Sequence, residues 1–241
     1  MPAQRSLARR AASRLKRMVL GGPGRDPARD PARVFDRIYA DGAWNGDVRS
    51  GEDIVSGSGS LPQNSRSYED LVVERARALG VRRIVDIGCG DFQVAGRILE
   101  RLPEVDYLGL DVSALAVQRN LRRFAREGVR FAQLDIARRD PPAGDLALCR
   151  EVLQHLPNAM VARSLRRIAA FPAALLTNCV AAAPSQAMNL DVPLGHCRAS
   201  LGSGLDLTAP PFGLKAVERL RVAHDRLPYD IVTLEIGRAA A

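Results

Sequence analysis

The 241-residue chain has almost no lysine: Lys16 and Lys215 are the only two, and arginine supplies the rest of its basic side chains. Together with abundant alanine, that bias points to a GC-rich, bacterial coding background. Long apolar runs are missing too. The longest, residues 169–176, is broken by Pro172, far short of the roughly eighteen residues that a membrane-spanning helix needs. Cysteine is sparse, and Cys89, Cys149, Cys179 and Cys197 form no C-x-x-C element, so the usual spacing for zinc or redox work is absent. Free thiols, a reducing cytoplasmic compartment and no metal site are therefore expected. Basic charge is also scarce outside one end. Of the formal net charge of +8, residues 1–37 carry +7, and the rest of the chain is nearly neutral. A nearly neutral body without interleaved aromatics argues against a phosphate-tracking surface, so no nucleic-acid partner is expected.

What is present begins with "RSLARRAASRLKRMVL", whose Leu7, Ala11, Leu15, Met18 and Val19 recur at helical spacing among arginines. It reads either as a basic amphipathic helix making peripheral contact with an anionic membrane or as a plain basic tail. "GGPGRDPARDP" follows as a linker. The expected organisation is thus a basic arm and linker over 1–31, a lid segment over 32–66 and one domain over 67–241. Within the lid, "ARVFDRIYADGAWNGD" predicts a short helix ending near Gly42. "SGEDIVSGSGSLPQNS" is either a loop that folds over a ligand or a simple connection.

From Ser67 onward, short apolar strands alternate with amphipathic helices. The spacing predicts a helix capped by Ser67 and ending at Gly80, and strands "RRIVDIG", "VDYLGLD", "VRFAQLD", "DLALCREV" and "AALLTNCV", with helices after the first, second and fourth. A last helix, "KAVERLRVAHDRL", and a strand, "YDIVTLEIG", close the pattern. The alternation predicts an α/β fold, a doubly wound and mostly parallel sheet with helices on both faces and an antiparallel edge strand.

In such a sheet, ligands bind beyond the carboxyl ends of the strands. The first strand ends there in "VDIGCGDF", where Gly88 and Gly90 permit a sharp turn and the close approach of a ligand. A dinucleotide fold uses the same device, but here Asp86 and Asp91 flank the glycines, and Gln93 stands where a third glycine belongs. A diphosphate is repelled by such acids, whereas S-adenosylmethionine brings an ammonium, a sulfonium and no phosphate. Asp111, 21 residues beyond Gly90, can accept from both hydroxyls of a ribose, and Asp135 can accept from the amine of an adenine. Each of these acids also has a plain alternative as a helix or turn cap.

"VDIGCGD", "YLGLDVS", "FAQLDI" and "DLALCREVLQHLP" resemble the successive motifs of class I S-adenosylmethionine-dependent methyltransferases. More narrowly, the chain resembles a bacterial group with a C-R-[DE]-x-x-x-H-L motif, here residues 149–156. It departs from that group at "GCGD", where "PCGD" is common, and at His196-Cys197, where an aromatic is common. The resemblance implies a Rossmann-like fold and a methyltransferase. Its cofactor side comprises Asp86, Gly88, Cys89, Gly90, Asp111, Val112, Asp135, Ile136, Arg150 and Glu151. The acceptor is expected to be a small molecule or saccharide, methylated on oxygen, with Trp44 and Arg198 as contacts. His155 is the candidate general base, or else a residue that ties the loop before Pro157. Arg150 and Glu151 are open to a structural ion pair, and Trp44 to simple lid packing. The competing functions are an NAD-dependent oxidoreductase on the same fold and a non-catalytic binding module working through the basic arm.

Overall fold

The computed structural model describes residues 30–44, 55–182, 187–223 and 228–237. The expected basic arm and nearly all of its linker lie outside the described residues, as do residues 45–54 of the lid segment.

Seven strands form one sheet in the order β3-β2-β1-β4-β5-β9-β8. They are β1 (Arg83–Ile87), β2 (Asp106–Asp111), β3 (Val129–Gln133), β4 (Leu146–Arg150), β5 (Ala173–Ala181), β8 (Val217–Ala223) and β9 (Tyr229–Gly237). β1 to β5 run parallel, and β9 lies antiparallel to both β5 and β8. The short β6 (Ala187–Met188) and β7 (Ser203–Gly204) pair separately. The strand order reverses between β1 and β4, where a doubly wound sheet opens a crevice at its carboxyl edge.

Alternation along the strands builds a core on each face. Ile84, Leu146, Leu148 and Leu175 point to one side, with Val72 of α2 (Pro62–Ala78) and Ile98 of α3 (Gln93–Glu100). Val85, Ala147, Cys149 and Leu176 point to the other, with Phe35 of α1 (Pro31–Ala40) and Val161 of α5 (Asn158–Ile168). α4 (Ala114–Phe124) follows β2 and is capped by Ser113, whose Oγ accepts from Ala116 N at 3.1 Å. α1 is fastened to that cap: Asp36 Oδ1 accepts from Ser113 Oγ at 2.6 Å and from Leu115 N at 3.1 Å. The first helix is thereby held over the carboxyl edge of the sheet.

Two element predictions are corrected. α2 begins at Pro62 rather than after Ser67, because proline fits the first helical position and Leu61 supplies the extended residue before it. Within the closing helix expected over residues 215–227, residues 217–223 form the strand β8, and residues 224–227 lie outside the described residues. A register shift between Glu218 and Leu220 breaks the alternation, so Val217 and Leu220 share a helix-like spacing while pairing with β9.

Candidate active site

The crevice at the strand reversal holds a cavity of about 320 Å³. Its floor is the turn after β1, where Gly88 (φ 76°), Gly90 (φ 53°) and Phe92 (φ 67°) all adopt left-handed backbone. The turn is sewn to the end of β2. Gly88 N and Cys89 N both donate to Leu110 O, at 2.7 and 3.0 Å, and Gly90 N donates to Asp111 Oδ2 at 3.0 Å. Asp111 Oδ1 accepts from Ser113 N at 2.8 Å. Asp111 is thus a local cap and also a wall of the cavity.

The glycines make room for protein as well as for a ligand. A Cβ on Gly88 would lie 2.2 Å from Val152 Cγ2, and one on Gly90 would lie 2.3 Å from Ser56 Oγ. Ser56 sits there because of a reciprocal pair of bonds: Ser56 N donates to Asp91 Oδ2 at 2.9 Å, and Asp91 N donates to Ser56 Oγ at 2.8 Å. Asp91 also accepts from Gln93 Nε2 at 3.1 Å. The serine- and glycine-rich segment is therefore clasped across the turn. Its other end is held by Arg150 Nη2 donating to Gly59 O at 3.0 Å and by Arg97 Nη2 donating to Ser60 O at 2.9 Å.

The carboxylates are perturbed by burial. Asp86, which accepts from Tyr107 Oη at 2.8 Å, is pushed up to about 6, mainly by loss of water. Asp111 is raised to about 6 for the same reason, against the pull of backbone donors at Ser113, Gly90 and Val112. Both changes disfavour the ionised form, and a cation in the crevice would reverse that preference. Asp135 Oδ1 accepts from Ala137 N at 2.9 Å, the turn-cap role. Its Oδ2 is buried without a hydrogen-bond partner, although Arg138 Nε lies 3.2 Å away.

At the end of β4, Glu151 takes a left-handed backbone (φ 56°), unusual for a side chain of its size. Arg150 Nη2 lies 2.9 Å from Glu151 Oε1, and its guanidinium sits 5.2 Å above the Tyr68 ring. The structural pairing and the exposure to the cavity are both present. His155 closes the next turn (Leu153–His155), its ring 5.3 Å from Trp44. Burial drops the imidazole to about 4, and Nδ1 has no partner. Trp44 packs edge-on to Tyr39 at 5.1 Å and also lines the cavity.

The structure brings twelve of the sequence-derived site residues to this cavity: Asp86, Gly88, Cys89, Gly90, Asp111, Val112, Asp135, Ile136, Arg150, Glu151, His155 and Trp44. Arg198 does not line it. Its buried guanidinium donates to the carbonyls of Leu153, Gln154, Leu156 and Leu190 and to Asn158 Oδ1. Arg198 therefore ties the loop before Pro157, and the His155 side chain has a backbone partner at His196. Sequence reasoning missed Ser56, Gly59 and Tyr68 as lining residues. The Ser-Gly alternation was the visible signal for the first two. Among the described residues, no group of three or more His, Cys, Asp or Glu is placed to hold a metal ion. No helix among them is long and apolar enough to cross a membrane.

Comparison with known proteins agrees with this geometry. Residues 85–173 match a family model described as a methyltransferase domain. An uncharacterized methyltransferase of Mycobacterium tuberculosis (strain ATCC 25618 / H37Rv) is 30% identical over 105 residues, 43% of this chain and 52% of that protein. Trans-aconitate 2-methyltransferase of Methylobacterium nodulans is 36% identical over 97 residues, 40% of this chain and 36% of that one. The chain thus spans about half the length, or less, of the curated relatives it matches. Among solved structures, the N-methyltransferase NodS from Bradyrhizobium japonicum WM9, in complex with S-adenosyl-L-homocysteine, superposes with a TM-score of 0.58 at 16% identity. That alignment covers 86% of this chain and 97% of NodS, and it establishes the fold. Residues 85–173 are thus similar to a methyltransferase domain, and they lie in a fold shared with a methyltransferase solved in complex with S-adenosyl-L-homocysteine.

Proposed function

We propose that this chain transfers a methyl group from S-adenosylmethionine to a small-molecule acceptor held under Trp44, between Glu151 and His155. The observation that carries the reading is the crevice itself: Asp86, Asp111 and Asp135 stand at the carboxyl ends of three neighbouring strands, each facing one cavity. Asp111 is assigned to the ribose hydroxyls and the bare Asp135 Oδ2 to the adenine amine, with Val112 and Ile136 beside the base. Asp86, Gly88, Cys89, Gly90 and Arg150 are assigned to the amino-acid end. The unpartnered Arg150 Nε suits a carboxylate. When bound, the donor supplies an already activated methyl group on a sulfonium. What remains for the protein is alignment and exclusion of water, which the clasped segment, α1 and Trp44 are placed to provide.

Oxygen methylation of a hydroxyl needs a base, and His155 is the only imidazole lining the cavity among the described residues. Its burial-lowered affinity for protons makes it a weak one. The test of the donor site is calorimetric titration with S-adenosylhomocysteine. Asp111→Ala should weaken binding by about ten- to hundredfold, the loss of one charge-assisted pair of contacts. Unchanged affinity, or saturable binding of NAD in its place, overturns the assignment.

A further inference from the structure

We infer that Arg198 is a positioning residue for the acceptor end of the cavity: it holds the turn that presents Gln154 and His155 there. This rests on the methyltransferase reading above.

The first support is where its hydrogen bonds go. Arg198 is 1% exposed, and a guanidinium has five N–H groups to place. Nε donates to Leu190 O at 3.0 Å, and Nη1 donates to Leu153 O at 3.1 Å and to Gln154 O at 2.9 Å. Nη2 donates to Leu156 O at 2.8 Å and to Asn158 Oδ1 at 2.6 Å. The one carbonyl of the turn that Arg198 skips, His155 O, accepts from Gly195 N at 2.9 Å. Four successive carbonyls, those of residues 153–156, are therefore all held from residues 195–198. No N–H of the guanidinium is left to touch a substrate.

The second support is what flanks this seam. Gln154 and His155 on the turn, and Cys197 and Ala199 on either side of Arg198, line the same cavity as Trp44. Gln154 Oε1 accepts from Cys179 N at 2.9 Å, which fastens the turn to β5. The His155 ring has its own backbone partner at His196 and lies 5.3 Å from Trp44. Asn158 repeats the join: its N donates to Asp191 Oδ1 at 2.7 Å and its Nδ2 to Asn189 O at 2.9 Å. Arg198 bonds to none of the residues assigned to the donor, so its effect falls on the acceptor wall.

The third support is cost. All five partners of Arg198 are neutral oxygens, so the buried charge gains no ion pair to offset its lost water. Apolar packing could close such a turn without that penalty. What the guanidinium adds is geometry, a planar fork that fixes several oxygens at once. Lysine keeps the charge but carries its donors on a single nitrogen, so it cannot span the same set.

The readout is the protonation of His155, followed by NMR of protein labelled with nitrogen-15 histidine and titrated from pH 8 down to pH 4.5. His155→Gln identifies the signal among the three histidines. Burial lowers the proton affinity of the ring to about 4, the Arg198 charge acts in the same direction, and Glu151 opposes both. The wild-type ring should therefore stay mostly neutral at pH 5.5. Arg198→Lys keeps a positive charge nearby but frees the turn, so water reaches the ring. The midpoint should rise by at least about one pH unit, a tenfold gain in proton affinity. Trp44 emission should shift to the red, while the affinity for S-adenosylhomocysteine stays as in wild type. A wild-type midpoint near 6.5, an unchanged midpoint in Arg198→Lys, or loss of S-adenosylhomocysteine binding by the folded variant overturns the inference. Should Arg198→Lys not fold, Asn158→Ala decides: it removes one acceptor of the guanidinium and the bond to Asn189 O. It should raise the midpoint in the same direction, and an unchanged value again overturns the inference. Failure of the wild-type protein to bind S-adenosylhomocysteine instead overturns the donor site and leaves the histidine readout intact.

Discussion

A single β-carbon at position 90 meets two obstacles at once. Gly90 has φ 53°, and its missing Cβ is occupied by Ser56 Oγ at 2.3 Å. Gly90→Ala should therefore cost about 1–2 kcal/mol of backbone strain alone, and it should also lever Ser56 off Asp91. The expected result is a lowered midpoint in thermal melts together with faster release of S-adenosylhomocysteine in stopped-flow chase. A variant that melts early but releases the ligand at the wild-type rate would show that the clasp is not part of the site. Ser56→Ala separates the two effects, because it removes one partner of Asp91 N without touching the glycine. It should speed release with little change in melting. At this scale the chemistry of "DIGCGD" was readable from its acids and glycines, but the partner of Gly90 was not. Ser56 is 34 positions away, inside a segment whose sequence looks like a connection.

The parallel strands were legible because each is a short apolar run, and β1, β2 and β4 lead into amphipathic helices. β8 was not, since its bulge imitates helical spacing and its outward residues are charged as on a solvated helix. What anchors β8 is a buried ion pair that spacing does not reveal. Glu235 in β9 is fully buried and pairs with Arg75 of α2 at 2.8 Å and with Arg219 at the β8 irregularity. Removing the carboxylate takes a buried counter-charge from both guanidinium groups. Glu235→Ala should cost about 3 kcal/mol, seen as a lower denaturant midpoint with an unchanged slope. Glu235 does not line the cavity, so the affinity of the folded fraction for S-adenosylhomocysteine should stay as in wild type. A variant with wild-type stability would mean that the three-element junction is held by packing alone.

Across the whole molecule, the strand reversal places ionisable groups where folding and ligand binding oppose each other. Asp86 and Asp111 are raised from about 3.8 to about 6 in the folded chain. Their contribution to stability is present below the ordinary carboxylate range and is lost as pH rises through about 6. His155 has the opposite sign. Its proton affinity falls from 6.5 to about 4, so its contribution is present above 6.5 and is lost as pH falls toward 4. With two carboxylates against one imidazole, the ligand-free protein should lose stability between pH 5 and pH 7. A cation in the crevice acts on the carboxylates alone, favouring their ionised forms and drawing their pKa values back down. The bound protein must then gain more from ligand at pH 7.5 than at pH 5. Each step of one pKa value corresponds to a tenfold change in affinity, so S-adenosylmethionine should bind at least about tenfold more tightly at pH 7.5. The asymmetry should shrink in Asp86→Asn, which keeps the shape and removes one titrating group. Calorimetry at the two pH values decides the point, and a flat affinity in the wild-type chain would mean that the acids at the strand ends serve only as caps for the turns they begin.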